Sequence, residues 1–178
     1  MVVVTRSVRI NAPVERVFAL VADPAARSAL SPTTRPIRVE IEGGGPLGPG
    51  SVCHFRLQSG NRILDYRTRV EEFEPLRCIV SVSDSAVPFR VRIETEPDAS
   101  GTRLTQTESF EPTDGQLEAA LPRNPFNRVL RLAYRMLLWA DLDSARRLRE
   151  EQEKALARSL EPAMGRWLSA IKARLEAD

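Results

Sequence analysis

Cysteine and histidine are scarce in this sequence, and this narrows the chemistry it can support. The two cysteines, Cys53 and Cys78, are too few for the disulfide framework of a small secreted domain. One histidine, His54, and two distant cysteines do not supply the converging ligands of a metal site. Alternation also predicts His54 on the face of its strand opposite Phe55, where it cannot activate a nucleophile inside the protein. We therefore expect no metal and no cofactor.

Long hydrophobic runs and an excess of charge are missing as well. Only three apolar residues follow Met1 before Thr5 and Arg6, which predicts neither a signal peptide nor a membrane span. The 26 Lys and Arg nearly balance the 24 Asp and Glu, so charge gives no indication of a nucleic-acid-binding surface. The glycines at residues 43–50 lack the P-loop pattern and predict a hairpin loop. We expect a cytoplasmic protein that does not bind nucleic acid.

Alternation of apolar and polar residues is abundant in the first two-thirds of the chain. In residues 51–58 every second side chain is apolar, the pattern of a strand with one buried face. This period recurs in six segments between residues 37 and 111, and a further strand is predicted at residues 2–10. Two short helical segments are predicted within residues 14–30. Together these features predict a seven-stranded antiparallel meander in a single domain spanning residues 1–178.

The last third of the chain has a helical pattern instead. Its final apolar residues recur at spacings of three and four, which indicates one buried helical face. This stripe consists of Leu156, Leu160, Met164, Trp167, Leu168, Ile171 and Leu175. A single helix over residues 126–177 would be roughly 80 Å long, twice the diameter near 40 Å of a compact chain of this size. We therefore predict a break near residues 141–144 and a kink at Pro162.

Four stretches of the sequence resemble the START/Bet v 1-like (SRPBCC) helix-grip superfamily, especially its bacterial polyketide cyclase/dehydrase and lipid-transport branch. They are INAPVERVFALVADP (residues 10–24), GPGSVCHFRL (48–57), RTRVEEFEPLRCI (67–79) and GTRLTQTESFEP (101–112). The resemblance covers residues 2–112 and 150–176. It implies an α+β fold in which a curved seven-stranded antiparallel sheet surrounds a long C-terminal helix. These motifs mark helix starts, turns and strand ends, so they specify a fold better than an activity.

Residues 113–149 depart from the pattern of this superfamily. Its members usually pass from the last strand to the closing helix, here residues 150–176, through a short connection. We therefore predict a helical insertion at 113–149, which could act as a lid, a dimer surface or a membrane-facing segment. Arg128, Arg131 and Arg135 could contact an anionic membrane, or they could form the solvated face of a helix packed on its own domain.

A long helix laid against a curved sheet rarely fills the concave side, so we predict a hydrophobic cavity between them. Its predicted lining residues are Phe55, Leu57, Leu64, Tyr66, Thr68, Val80, Phe89, Val91, Leu104, Gln106, Glu108 and Phe110 on the strands and Met164 and Trp167 on the helix. Val70, Val82 and Ile93 fall in the same inward register.

Two polar residues in the inward register of the last strand, Gln106 and Glu108, are the most informative. Burial of an unpaired carboxylate costs several kcal/mol, so Glu108 should be paired, hydrated or protonated. It could act as a general acid or base together with Tyr66, or anchor a ligand by a hydrogen bond. Alternatively, a bulge or an open sheet end would leave Glu108 in water, and Tyr66 and Thr68 could simply be cavity wall.

Three functions remain open on this basis. The resemblance favours binding of a small hydrophobic molecule such as a lipid, a sterol or a polyketide-like aromatic. The second interpretation is a polyketide cyclase, aromatase or dehydratase in which Glu108, Tyr66 and Gln106 move protons. The third is a membrane-associated or dimerising module that uses residues 116–142.

Overall fold

The computed structural model describes residues 1–84, 88–119 and 142–177. Its elements run in the order β, two α, six β, two α. They are β1 Val2–Ile10, α1 Val14–Val21, α2 Pro24–Ala29, β2 Arg35–Ile41, β3 Val52–Ser59, β4 Arg62–Glu74, β5 Cys78–Ser83, β6 Phe89–Asp98, β7 Gly101–Phe110, α3 Asp114–Ala119 and α4 Leu142–Glu176. The predicted α+β helix-grip fold is confirmed.

The seven strands form one antiparallel sheet in the order β1-β7-β6-β5-β4-β3-β2. Strands β2 to β6 each pair with the next strand in sequence, as the alternating pattern predicts for a meander. Strand β1 pairs with β7 over its whole length, from Val2 opposite Phe110 to Ile10 opposite Thr102. The chain therefore brings its first and last strands together, and β1 and β2 are the two edges of the sheet.

Strand β4 contains a bulge where it pairs with β5. The register of β4 against β5 shifts between Val70 and Glu72, so one extra residue, Glu71, is accommodated there. Beyond this bulge Phe73 packs against Phe18 of α1, with ring centroids 5.7 Å apart. The outward glutamates meet arginines of β6, and Glu72 pairs with Arg92 at 3.0 Å.

The predicted inward register of β5 is wrong. Ser81 pairs with Val70 and Val91 and faces inward with them, whereas Val80 and Val82 point to the outer face. Val80 is nevertheless fully buried. Its neighbour on the same face is Arg92, whose aliphatic stem can cover a valine while its charged end remains in water.

Two short helices cover one end of the sheet. The face of α1 that carries Val17, Phe18 and Val21 is buried, as its apolar spacing predicts. Helix α2 begins directly afterwards because Asp23 caps it, accepting hydrogen bonds from the backbone N–H groups of Ala25 at 2.9 Å and Ala26 at 3.0 Å.

Helix α4 lies across the inner side of the sheet. Its buried residues Leu168, Ile171 and Leu175 join a core that includes Val4 and Ile10 of β1. The helix continues through Pro162 and reaches back to Leu142, eight residues before the predicted start of the closing helix. None of the helices in the described ranges is long and apolar enough to cross a lipid bilayer. Residues 120–141, which include most of the predicted insertion and its three arginines, lie outside the described residues.

Candidate functional site

A cavity of about 630 Å³ lies between the inner face of the sheet, the segment that follows α1, and α4. This volume corresponds to about 20 water molecules in the liquid and falls within the usual range for small-molecule sites. The predicted residues that line it are Phe55, Leu57, Leu64, Tyr66, Thr68, Phe89, Val91, Gln106, Glu108, Phe110, Met164 and Trp167. Ile93, which shares the inward register, lines it as well.

Two predicted lining residues, Val80 and Leu104, do not line the cavity. Val80 points to the outer face because β5 has the opposite register. Leu104 does face inward, between Val8 and Thr95 on the neighbouring strands, but it is fully buried in the packed core. The concave side of the sheet is therefore filled at one end and hollow at the other.

Three aromatic rings form a continuous wall along one side of this cavity. Phe55 and Tyr66 are direct cross-strand partners on β3 and β4, and their rings stack at 5.2 Å with an interplanar angle of 13°. The rings of Phe89 on β6 and Tyr66 form a T-shaped pair, with centroids 5.5 Å apart and an interplanar angle of 73°. Rings held in this way are rigid, and they present flat apolar surface to a ligand with a single hydroxyl among them.

Glu108 and Gln106 form the polar end of this wall on β7. They are two residues apart and therefore share a face, and Gln106 Nε2 donates a hydrogen bond to Glu108 Oε1 at 2.5 Å. Burial raises the pKa of Glu108 above 4.5, and the bond from Gln106 opposes this shift only partly. Glu108 therefore holds its proton more strongly than an ordinary glutamate does.

Two buried oxygen atoms in the cavity, Oε1 of Gln106 and Oγ1 of Thr68, have no nitrogen or oxygen partner among the described residues. The Thr68 hydroxyl interacts only with the thiol of Cys53, its cross-strand neighbour. Buried polar atoms are normally paired with protein or water, so a group without a partner beside a cavity indicates where a ligand or water would bind. Both atoms lie in the register that the strand pattern placed inward.

Tyr66 lies within electrostatic reach of both charged residues of the cavity. Burial raises its pKa, the charge of Arg27 lowers it, and the charge of Glu108 raises it. The phenol is therefore protonated at neutral pH and can donate a hydrogen bond.

The comparisons with known proteins agree with this architecture. A family model described as polyketide cyclase/dehydrase and lipid transport matches residues 1–176. The chain belongs to this family. The match runs across residues 113–149, so it draws no separate boundary around the predicted insertion. Among proteins with curated functions, no sequence matches the chain significantly.

Solved structures with this fold come from several bacteria. The aromatase/cyclase Zhui of Streptomyces sp. R1128 is 18% identical with a TM-score of 0.61, and the match covers 98% of this chain and 93% of that one. A protein of Rhodobacter sphaeroides is 14% identical with a TM-score of 0.64 and coverage of 99% and 94%. A polyketide cyclase-like protein of Corynebacterium glutamicum is 23% identical with a TM-score of 0.52 and coverage of 98% and 91%. At these identities the likeness shows the shared fold.

Several lining residues were not predicted from the sequence. They are Arg27, Ser28, Ser31, Thr33, Thr34, Ser81, Gln116, Leu160 and Ala163. Most belong to α2 and the loop after it, where no periodicity indicates which side chains turn inward. The only available signal was compositional, because one arginine and four hydroxyl residues fall within eight positions.

The polar groups outside this cavity do not form an arrangement suited to acid–base catalysis or metal binding among the described residues. His54 lies on the outer face, where its Nε2 is 2.7 Å from Asp65 Oδ1. Within residues 1–84, 88–119 and 142–177, no three His, Cys, Asp or Glu side chains converge as metal ligands do. A second hollow of about 560 Å³ lies beside the edge strand β2, between Asp23 and the glycine loop.

Proposed function

We propose that this protein binds one small, mainly apolar molecule in the cavity between the sheet and α4. The observation that carries this proposal is the 630 Å³ hollow, which has aromatic and aliphatic walls and only a few polar groups. A closed protein core normally packs to high density, so a hollow of this size requires an occupant or water. Apolar surface placed against water would be unfavourable, which supports a hydrophobic ligand. Family membership agrees with this proposal.

Filling the cavity tests the proposal most simply. Ala163 lines it from α4, and a phenylalanine there would occupy ligand space without removing a core side chain. Ala163→Phe should therefore abolish binding of Nile red, a neutral apolar dye, as measured by its fluorescence. The matched control is Ala173→Phe, which adds the same ring to an exposed position of the same helix and should leave binding unchanged.

Two results would count against the proposal. One is a wild-type protein that binds no Nile red, and the other is equal binding by both phenylalanine variants. Thermal unfolding of each variant shows whether the added ring has disturbed the fold.

Glu108 gives a specific reason to consider an enzyme in the same cavity. Its raised pKa brings the group closer to neutral pH, where one carboxyl can both accept and return a proton. In a dehydration, the ionised carboxylate would take a proton from the carbon beside a carbonyl. The carbon–oxygen bond would then break, and the leaving hydroxide would receive that proton and depart as water.

The experiment for this second function separates turnover from binding. A short poly-β-ketone thioester is incubated with the protein, and cyclised or dehydrated products are followed by liquid chromatography and mass spectrometry. If Glu108 is catalytic, Glu108→Gln should remove turnover and keep Nile red binding within about threefold. Absence of any product with the wild-type protein would leave binding as the function.

A further inference from the structure

Among the described residues that line the cavity there is one arginine, and α2 supplies it. Arg27 lies in the last turn of α2 and lines the hollow beside the aromatic wall. Its Cζ is 6.0 Å from the centroid of the Phe55 ring, within the range of a cation–π contact. Arg27 Nη1 donates a hydrogen bond to the backbone oxygen of Val21 at 3.0 Å. These two contacts fix the group at the cavity wall.

This guanidinium has no acidic partner among residues 1–84, 88–119 and 142–177. No carboxylate oxygen of these residues lies within 4.0 Å of it. The exposed arginines of β6 differ, because Arg90 and Arg92 both pair with Glu72, at 3.1 and 3.0 Å. Arg27 is half-buried, and burial lowers its pKa without discharging it. The charge of Asp23 acts on it only from beyond contact distance. A partly desolvated cation with no carboxylate in direct contact is costly, and a bound anion would offset that cost.

The carboxyl group at the opposite end of the wall does not serve as this counter-ion. The carboxylate whose charge acts on Arg27 is that of Asp23, since Cys53 and Tyr66 are neutral at neutral pH, and Glu108 does not contribute. Tyr66, in contrast, is affected by both Arg27 and Glu108. The cationic group and the carboxyl group are therefore separate, and the phenol is within reach of each.

Hydroxyl groups from the same stretch of chain accompany Arg27. Ser28, Ser31, Thr33 and Thr34 line the cavity immediately after it. Ser31 Oγ is the centre of this group, since it accepts a hydrogen bond from Thr34 Oγ1 at 2.8 Å and from Thr34 N at 3.2 Å. Because Thr34 donates its hydroxyl proton to Ser31, Ser31 can donate its own proton to a ligand. A guanidinium beside such hydroxyl donors is a set of groups that recognises an oxyanion.

We propose that Arg27 and the hydroxyls of residues 28–34 bind the anionic head group of an amphipathic ligand, a carboxylate or a phosphate, whose apolar body lies along the aromatic wall. This inference rests on the proposed function and specifies its ligand class. The Glu108 end would meet a neutral hydroxyl or carbonyl, because a second anion there would face a carboxyl group.

The test compares three ligands with the same ten-carbon tail, namely decanoate, decyl phosphate and 1-decanol. Their affinities are measured by displacement of Nile red. We expect the wild-type protein to prefer at least one anion to the alcohol by about tenfold, the usual value of a charge-assisted hydrogen bond. The preferred anion identifies the head group. Arg27→Gln should remove the preference of the protein for the anions over 1-decanol, whereas Arg27→Lys should retain much of this preference.

A matched control removes one positive charge elsewhere. Arg56 is exposed on the outer face of β3, so Arg56→Gln should leave the preference intact. If the wild-type protein binds all three ligands equally, or Arg27→Gln keeps the anion preference, the inference is overturned and the proposed function stands. If none of the three displaces Nile red, binding of such ligands is itself refuted. The wild-type comparison decides these points even if an Arg27 variant folds poorly.

Discussion

Replacing a buried side chain of α4 with alanine should affect stability very differently at two neighbouring turns of the helix. Leu168 is 2% exposed and lies in the packed core, away from the cavity. Met164, one turn earlier, is buried too, but it borders the cavity. Removing a side chain from close packing loses its transfer free energy and also leaves a void. Removing one beside an existing hollow only enlarges that hollow. We therefore predict that Leu168→Ala destabilises the protein more than Met164→Ala does.

The magnitudes follow from these environments. Leu168→Ala should cost about 3 kcal/mol, a middle value for fully buried leucines. Met164→Ala should cost about 1–2 kcal/mol, close to the transfer term alone. In a domain of this length, 1 kcal/mol lowers the melting temperature by about 2–4 °C, so Leu168→Ala should lower it by about 6–12 °C.

Urea unfolding followed by far-UV circular dichroism measures both costs, because the signal does not depend on the tryptophan beside the cavity. The denaturant slopes of the two variants should agree, so that the midpoints can be compared directly. Equal costs, or a larger cost for Met164→Ala, would mean that α4 is packed equally at both turns. The reasoning about a half-filled concave side would then be refuted.

Two further perturbations follow from buried groups elsewhere. Because the folded state raises the pKa of Glu108, its favourable contribution is complete below about pH 4.5 and is lost as the pH rises through the folded pKa. In urea unfolding, Glu108→Gln should therefore be more stable than the wild-type protein at pH 7.5 and equally stable at pH 4. The control Glu96→Gln, at an exposed position, should show no such change with pH. A stability difference between Glu108→Gln and wild type that is the same at both pH values would contradict this prediction. A Cβ at Gly101 would lie 2.1 Å from the backbone oxygen of Ile10, so Gly101→Ala should lower the free energy of unfolding by about 2–3 kcal/mol. The control Gly48→Ala, where a Cβ would meet open space, should lower it by less than about 1 kcal/mol.

The strand pattern predicted the inner face well where one side of a strand is clearly apolar. In β3 and β7 the alternation places Phe55 and Glu108 inward, and the structure agrees. In β5 the sequence SVS favours inward valines, but the strand has apolar residues on both faces. In β5 the pairing of Ser81 with Val91 sets which face of the strand points inward, and Ser81 lies on that face. Alternation is informative only if one face is polar enough to exclude the other register.

The path of the covering helix was not predictable from strand periodicity. Leu104 and Gln106 share one face of β7, yet only Gln106 lines the cavity. Which inward residues are packed depends on where α4 crosses the sheet, and this is a tertiary property. Arg27 was missed for a similar reason, because its short helix has no apolar stripe and its orientation is set by contacts such as the bond from Trp167 Nε1 to its backbone oxygen at 3.1 Å.

Photolabelling with an alkyl alcohol that carries a diazirine tests the central claim most directly, because it reports where an apolar molecule binds. The account predicts adducts on cavity residues such as Phe89, Phe110 and Met164, and their loss in Ala163→Phe or with excess 1-decanol. Adducts confined to exposed apolar residues such as Ile37 and Ile63, unaffected by either competitor or variant, would contradict it.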